Sequence, residues 1–357
     1  MNISDYRYII ADSRSVFDPS ATVFAAIRTE VGDGHRFIPA LYDAGVRAFI
    51  VEEIPQACPD AEFMKVDNVP AALADLARQR LDGIDSGIVV TGSHGKTTMK
   101  ELLFTSLLSL GRKARRSPRS WNSSIGLPLA ILDMTSGGAD PDTCYITEAG
   151  IDGPGQAEGT VSVIGASHHT GIITAMDSEH DEAFASHEEK IREKVRLVSH
   201  CSTVFYADSD PALGRILREM LPDGAEAIEV TQGSHPTIFH AIAAEVLRHI
   251  GVTDCPADIP DSIGLVNCRR EITASMYGNT VIIDSFTPDL RSLREALDFM
   301  RRQTTAAQSS ALVLGSMLYR RGISDAEKKS IVDEAYRLAA GVGGASVPHG
   351  HQIERRM

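Results

Sequence analysis

The sequence has few cysteines, and no two of them are spaced to hold a metal. The five are scattered along the chain and none lies three positions from another, so we expect no zinc site of the Cys-x-x-Cys type. An odd, dispersed set of thiols is typical of proteins from a reducing compartment. We therefore predict free thiols in a cytoplasmic protein.

Long apolar runs and a basic amino terminus are also missing. The first ten residues, MNISDYRYII, lack the basic start and apolar stretch of a signal peptide, and no apolar run could span a bilayer. Positive charge is not in excess either, since 35 Lys and Arg against 48 Asp and Glu give a net charge of −13. A general nucleic-acid binder needs a basic face. We expect neither a membrane protein nor a partner of nucleic acid.

The 357 residues, 43% of them hydrophobic and 23% charged, are enough for two or three globular domains. The pattern of strand-like and helical runs predicts an α/β protein in three parts: 1–82, 83–262 and 263–357. In the first part, residues 22–27 and 48–53 are predicted strands, and residues 35–45 a helix that ends at a glycine.

The second part begins with a buried-strand pattern at residues 87–91, which leads into a glycine loop and an apolar-striped helix. This order is the opening of a parallel α/β unit. Three more strands are predicted at residues 144–149, 171–176 and 203–207. In the third part, Gly278 and Asn279 form the turn of a predicted hairpin. A helix (about 289–302), a strand (311–315) and a helix (about 324–339) follow.

The strongest motif is VVTGSHGKTT at residues 89–98. Its glycines let the backbone turn so that several N–H groups face one anion. Lys96 would reach the β- and γ-phosphates of ATP, and the Thr97 hydroxyl would bind Mg²⁺. The predicted ATP-binding residues here are Gly92, Ser93, His94, Gly95, Lys96, Thr97 and Thr98. An ordinary turn before a surface lysine is the alternative, which the strand, GKTT and helix together disfavour.

A glutamate ends one of the predicted strands. Glu148 follows the run CYIT, and charged residues in such runs are uncommon unless they are paired or bind a metal. In an open α/β sheet, the carboxyl ends of the strands border the ligand crevice. Glu148 therefore either binds a metal there or is a strand-end residue that faces water.

A lysine is predicted on the flank of a buried helix face. Ser186 and Glu189 form the capping box S-x-x-E, so a helix is expected to begin there. Its buried face would consist of Ile191, Val195 and Val198. At about 100° per residue, Lys194 lies at the edge of that face and Glu193 points away. A partly desolvated lysine is more nucleophilic, while a lysine that snorkels into water is the alternative.

From residue 1 to about 320, the chain resembles the Mur ligases. The resemblance is carried by TGSHGKTT, the DSR motif at 12–14, the DGH motif at 33–35, the loop SWNSSIGLP, the glutamate of YITEAG, residues 171–198, and the last-domain segment that begins CRREI. Within the family, these motifs are most similar to those of members that add D-alanyl-D-alanine to UDP-N-acetylmuramoyl-tripeptide. These two substrates are therefore the expected partners.

The resemblance implies an α/β fold of three domains. Residues 1–82 would bind the UDP-sugar, residues 83–262 would form a P-loop ATPase domain with a mostly parallel sheet, and residues 263–357 would be a Rossmann-like domain cut short. It further implies an ADP-forming ligase that works through an acyl phosphate, in the cytoplasm and as a monomer. Because the last domain would lack strands and helices, we expect a shortened form that ligates poorly.

The resemblance also assigns residues. Substrate binding would fall to Ser13, Arg14, Asp33 and His35. Beyond the glycine loop, ATP would be bound by Asn122, His240, Arg269 and Asp284. The metal ligands would be Thr97, Glu148, His180 and Lys194, and the catalytic residues Lys96, His180 and Lys194. Lys194 would carry CO₂ as N6-carboxylysine and help bind a second Mg²⁺.

Three positions depart from the family pattern, because His240, Thr287 and Ala175 each stand where an asparagine is usual. Rival interpretations remain. One is a sister ligase that adds another amino acid, such as diaminopimelate or lysine. A folylpolyglutamate synthetase is disfavoured by the DSR and DGH motifs. A rival of another class is a nucleotide-binding protein without catalytic activity.

Overall fold

The structure is a computed structural model. It describes residues 1–29, 32–56, 58–118, 120–176, 181–207, 210–235, 237–252, 271–274, 280–283, 290–303 and 324–340. The chain divides into two compact units, Met1–Pro260 and Asp261–Met357. His180, Arg269, Asp284, Thr287 and the strand predicted at 311–315 lie outside the described residues. The three domain boundaries stay a prediction.

The first unit begins with a four-stranded parallel sheet. In chain order, its elements and their neighbours are β1 (Tyr8–Ile10), β2 (Thr22–Ala25), β3 (Arg28–Thr29), β4 (Gly32–Asp33), α1 (Ile38–Asp43), β5 (Ala48–Val51), β6 (Glu62–Lys65) and α2 (Val69–Arg80). The sheet order is β1-β2-β5-β6, and β3 and β4 form a separate antiparallel pair. Both predicted strands are confirmed. The predicted helix is confirmed as well, with a 3₁₀ turn at Gly34–Phe37 before α1.

A six-stranded parallel sheet follows in the same unit. Its strands and the helices around it are β7 (Gly87–Thr91), α3 (Lys96–Ser109), β8 (Ala114–Arg116), α4 (Gly126–Met134), β9 (Cys144–Glu148), α5 (Ala157–Ile164), β10 (His168–Ile173), α6 (His187–Arg196), β11 (Thr203–Ala207), α7 (Leu213–Met220), β12 (Glu226–Val230) and α8 (Ile238–His249). The sheet order is β12-β11-β10-β7-β9-β8, with every pair parallel. The predicted α/β class is therefore confirmed, as are the strands predicted at 87–91, 144–149 and 203–207. The strand predicted at 171–176 is shifted, because β10 begins at His168 and ends at Ile173.

Alternate residues of β7 face two different cores. Ile88 and Val90 pack with the apolar faces of α3 and α8. Val89 points to the opposite side, into a core that also contains Leu73 of α2 and Val23 of β2. This alternation follows from the two-residue period of a strand. Both faces of the central sheet are thus covered, which explains the continuous apolar sequence of β7.

The second unit contains a hairpin and two helices among its described residues. Strands β13 (Glu271–Ala274) and β14 (Thr280–Ile283) pair in antiparallel fashion, as predicted, although their turn lies outside the described residues. Helices α9 (Leu290–Gln303) and α10 (Asp325–Ala340) pack through Leu293, Leu297 and Ala335. Within the described parts of the chain, no helix is long and apolar enough to cross a membrane.

The topology indicates which edge of the central sheet could form a ligand site. Strand β7 lies between β9 and β10, and the chain leaves β7 through the glycine loop into α3. Strand order changes direction around β7, since later strands are added on both of its sides. Ligands of open α/β sheets bind beside the carboxyl ends of strands at such a switch point. The residues after β7, β9 and β10 are therefore expected to form a site.

A buried histidine lies within this sheet. His168 begins β10 and is fully buried, with Nε2 2.7 Å from Thr147 Oγ1 and Nδ1 2.8 Å from Ser167 Oγ. Burial is the largest cause that lowers its pKa from 6.5 to about 3, and the neighbouring His200 and His169 act in the same direction. The folded protein therefore keeps His168 neutral.

This histidine should make the fold sensitive to mild acid. Between pH 6.5 and about 3, the unfolded chain binds a proton that folded His168 does not bind. Its contribution to the free energy of unfolding should thus fall by about 1.4 kcal/mol per pH unit as pH decreases. We expect His168→Gln to be less stable at pH 7.5 but to lose less stability by pH 5.0. Urea unfolding at both pH values measures this, and equal losses in the two proteins would contradict it.

Candidate functional site

The loop between β7 and α3 depends on two glycines. Gly92 has φ +135°, and a Cβ there would overlap Thr174 Oγ1. Gly95 has φ +85°, and a Cβ there would overlap the ring of Phe239. Only glycine adopts such backbone angles without strain and tolerates such close neighbours. The two glycines therefore fix the shape of the predicted phosphate loop.

The loop is anchored to the residues that follow β10. Ser93 N donates to Ala175 O at 2.7 Å, while Thr174 Oγ1 donates to Thr91 O at 3.1 Å and also to His94 O. Ala175 serves through its backbone carbonyl, so the departure from asparagine at this position leaves the anchor intact. Thr174 was not singled out by sequence, because it was predicted to lie within the strand at 171–176, whereas β10 ends at Ile173.

Lys96 begins α3 and folds back over the loop. Its Nζ donates to Gly92 O at 2.8 Å and to Ser93 O at 2.7 Å. The ammonium therefore lies at the helix amino terminus, where backbone N–H groups and the helix dipole also favour an anion. That Lys96 reaches the phosphates of ATP stays a prediction.

Glu148, at the end of β9, is buried next to the loop. Its side chain is 2% exposed, so the water-facing interpretation is wrong. Thr97 Oγ1 donates to its Oε2 at 2.9 Å, and Asn122 Nδ2 donates to its Oε1 at 2.8 Å. The fold thus brings together three predicted site residues that are up to 51 positions apart.

A second lysine, which the sequence did not single out, lies beneath this carboxylate. Lys100 Nζ is 3.5 Å from Glu148 Oε2 and 3.6 Å from Glu101 Oε1, and it donates to Ser117 O at 2.9 Å. Burial lowers the pKa of Lys100, and both carboxylates oppose that shift. Lys100 lies one helical turn after Lys96 and Thr97, so the 3.6-residue period could have indicated it.

The oxygen atoms around Glu148 could act as ligands of a hard cation. They belong to the carboxylate itself, to the hydroxyl of Thr97, and to the hydroxyl of Ser120, which lies 3.2 Å from Thr97 Oγ1. Mg²⁺ prefers oxygen ligands of this kind and usually keeps several waters. In the described parts of the chain, no group of three His, Cys, Asp or Glu residues could hold a metal. The residues present fit a magnesium ion with one carboxylate and hydroxyl ligands.

Helix α6 begins as its capping box predicted. Ser186 Oγ accepts from Glu189 N at 3.1 Å, and Glu189 Oε2 accepts from Ala185 N at 2.6 Å. Lys194 is 1% exposed, so the snorkelling interpretation is wrong. Its Nζ donates to Gly92 O at 3.4 Å. The lysine predicted to carry CO₂ therefore lies against the glycine loop.

The prediction that Glu193 points away from the buried face of α6 is wrong. Glu193 is only 4% exposed. Its Oε2 accepts from Gly155 N at 2.9 Å, and it also pairs with Arg196. The residues just before α5 cover this side of α6, which the pattern within one helix could not indicate.

The amino terminus of α8 also reaches the loop. Phe239 packs on Gly95, and the next residue, His240, is 1% exposed. Thr237 caps the helix, with its Oγ1 2.8 Å from His240 Nδ1. His240 is thus buried one position after the residue that packs on the loop, and its assignment as an ATP residue stays a prediction.

The residues of the DGH motif bond to one another and to the chain that follows β5 in the first sheet. Asp33 Oδ1 is 2.7 Å from His35 Nδ1, and His35 Nε2 accepts from Glu52 N at 3.1 Å, which fixes the ring tautomer. The backbone N–H of His35 is the largest cause that lowers the pKa of Asp33 to about 2. A Cβ on Gly34 would lie 2.8 Å from Ile27 N, so this position requires glycine.

The DSR motif is at the surface. The Arg14 guanidinium makes two bonds to Asp12, each 2.9 Å long, and its side chain is 88% exposed. Asp12 also accepts from Arg14 N at 3.0 Å, which closes a tight turn around Ser13. Whether Ser13, Arg14, Asp33 and His35 bind substrate stays a prediction. Arg14 must exchange Asp12 for phosphate in order to do so.

Parts of the chain are similar to known proteins. Residues 90–249 match the Mur ligase middle domain. A UDP-N-acetylmuramoyl-tripeptide--D-alanyl-D-alanine ligase from Bacillus subtilis is 25% identical over 333 residues, which cover 83% of this chain and 70% of that protein. A UDP-N-acetylmuramoyl-L-alanyl-D-glutamate--2,6-diaminopimelate ligase from Chlorobium phaeobacteroides is 40% identical over 108 residues, 29% of this chain and 21% of that protein.

A solved structure shows a similar fold. The MurF ligase from Thermotoga maritima, solved in complex with ADP, matches with a TM-score of 0.74 and 20% identity. The match covers 99% of this chain and 86% of that one. At this level of identity, the likeness establishes the fold alone.

The loop geometry gives a test in the folded protein. Gly92→Ala should destabilise the protein by about 1–3 kcal/mol and greatly weaken ATP binding, because of its backbone angle and the overlap with Thr174. Gly83→Ala is the control, since Gly83 also has a positive φ, +77°, but open space around it. Thermal unfolding with and without ATP measures both effects. An ATP-induced shift retained by Gly92→Ala would show that the loop does not bind phosphate.

Proposed function

We propose that this chain, which contains a Mur ligase middle domain, is an ATP-dependent ligase that joins D-alanyl-D-alanine to UDP-N-acetylmuramoyl-tripeptide. The observation that carries the proposal is the phosphate loop placed directly beside the buried Thr97–Glu148 pair. The B. subtilis relative, whose name gives this activity, supports the choice of substrates. ADP, phosphate and the cell-wall precursor would be the products.

The reaction would proceed in two transfers. The terminal carboxylate of the tripeptide attacks the γ-phosphorus of ATP, so that ADP leaves and an acyl phosphate forms. The amine of D-alanyl-D-alanine then attacks the acyl carbon and loses a proton, and the tetrahedral intermediate expels phosphate to form the amide. Lys96 and the loop N–H groups would stabilise the charge on the transferred phosphoryl group.

Magnesium, when bound, would neutralise negative charge on the phosphates. Thr97 and Glu148 would hold it, with Asn122 orienting the carboxylate through its bond to Oε1. Lys194, as N6-carboxylysine, and His180 would serve a second ion. The buried position of Lys194 against the loop supports this role. Arg269 and Asp284, which lie outside the described residues, would also contact the nucleotide.

The first sheet would hold the UDP end of the substrate. Arg14 offers two parallel N–H donors, a geometry that matches phosphate oxygens, and its exposure leaves it accessible. Asp33 and His35 would act by shaping the loop beside β5. We place the enzyme in the cytoplasm, where ATP is available and where Cys58, Cys144 and Cys201 stay as free thiols.

A sister ligase is the second candidate, because the Chlorobium relative adds diaminopimelate and is 40% identical over the matched segment. The P-loop and carboxylate are common requirements of both reactions, so the site does not separate them. A nucleotide-binding protein without activity would release no phosphate in response to an amine substrate.

Activity and its dependence on Lys96 form one test. The protein should release phosphate from ATP with UDP-N-acetylmuramoyl-tripeptide only when D-alanyl-D-alanine is present, and mass spectrometry should find the pentapeptide product. Lys96→Ala should lower the rate at least about a hundredfold, as expected when a phosphate-stabilising donor is lost. Lys113→Ala, at an exposed lysine, is the control. Turnover only with the dipeptide precursor and diaminopimelate would establish the sister activity instead.

Carboxylation of Lys194 forms another test. Carbon-13 bicarbonate should give a carbamate resonance with the wild-type protein that is missing in Lys194→Arg, which keeps the charge but cannot form the adduct. Lys194→Ala should lose ligase activity and regain part of it in high concentrations of acetate, because a free carboxylate can occupy the vacated ligand position. No resonance in the Mg²⁺-bound wild type would refute the modification.

A further inference from the structure

Lys100, Glu101 and Arg116 form a charged cluster with Glu148, and these three residues have no role in the proposed reaction. Lys100 is fully buried and lies between two carboxylates, 3.5 Å from Glu148 Oε2 and 3.6 Å from Glu101 Oε1. Arg116 pairs with the other oxygen of Glu101. Two cations and two carboxylates therefore alternate from the buried Glu148 to the half-buried Arg116.

Lys100 approaches the same oxygen that the metal site would use. Glu148 Oε2 accepts from the hydroxyl of Thr97 at 2.9 Å, and these two groups are the proposed magnesium ligands. A buried carboxylate needs a counter-charge, because an uncompensated ion in the interior is costly. Lys100 supplies that charge when no divalent cation is bound, and it repels a divalent cation that arrives alone.

We propose that Lys100 is a positioning residue that holds Glu148 in place of the metal and weakens the binding of free divalent cation. The anionic phosphates of ATP offset the repulsion, so metal and nucleotide bind the site together. This inference rests on the proposed function, in which Thr97 and Glu148 hold the metal. It goes further by giving the buried ammonium a role in coupling the two ligands.

A substitution of Glu101 is expected to change metal affinity in the opposite direction to a substitution of Lys100. Its carboxylate shares Lys100 with Glu148, so Glu101→Gln leaves the full charge of Lys100 directed at Glu148. Lys100→Met removes that charge while keeping an unbranched side chain of similar length. Loss of packing would change metal binding in the same direction in both variants, whereas the electrostatic role changes it in opposite directions.

The test measures the affinity of the protein for Mn²⁺ in the absence of nucleotide at pH 8.5, with electron paramagnetic resonance to detect the bound ion. We expect Lys100→Met to bind Mn²⁺ at least about tenfold more tightly than wild type. The Coulomb repulsion between an ammonium and a divalent cation a few ångströms apart exceeds the free energy of a tenfold change in affinity. Glu101→Gln should bind it more weakly, and Lys113→Met, at a surface lysine, should match wild type. With a non-hydrolysable ATP analogue, the difference between Lys100→Met and wild type should shrink.

Circular dichroism establishes that each variant is folded, and Lys100→Gln replaces Lys100→Met if the latter is not. Equal or weaker Mn²⁺ binding by the folded Lys100 variant would overturn the inference. That result is independent of ligase turnover, because no substrate is present. Failure of the proposed function would instead appear as missing pentapeptide product in the wild-type assay.

Discussion

The buried carboxylate of Glu148 is the constraint around which the site is organised. A charge in this position must be compensated; Thr97 and Lys100 contact it from α3, and Asn122 contacts it from the loop before α4. Strand β9, helix α3 and the loop before α4 are therefore held in one arrangement by a single side chain. The same requirement brings the hydroxyl of Thr97 and the carboxylate of Glu148 together beside the glycine loop.

The glycine loop adds a geometric constraint to this electrostatic one. Gly92 and Gly95 have neighbours so close that no Cβ could be accommodated, and these neighbours come from the chain after β10 and from the start of α8. The loop after β7 is thus held by two separate segments of the chain. A shape fixed before the ligand arrives lowers the cost of binding phosphate, since little has to be ordered in the complex.

The motifs of the first sheet show that a family pattern can have an architectural cause. The DGH motif reads as a substrate site, and its atoms are largely occupied by one another: Asp33 bonds His35, His35 accepts from the backbone of β5's end, and Gly34 packs on Ile27. Arg14 of the DSR motif is exposed and turned onto Asp12. If these residues also bind substrate, they do so in addition to their structural contacts.

The sequence by itself determined the features that local chemistry controls. The glycine loop, the lysine and threonine after it, the capping box of α6 and the apolar strands β7, β9, β10 and β11 each depend on residues within a few positions, so their patterns could be read directly. Only the tertiary structure decided what lies between distant segments. Lys100 under Glu148, Lys194 against Gly92 and the buried Glu193 depend on contacts across 38 to 102 residues. Burial and charge pairing at such separations are set by how helices pack on the sheet, and the period of one helix does not contain that information.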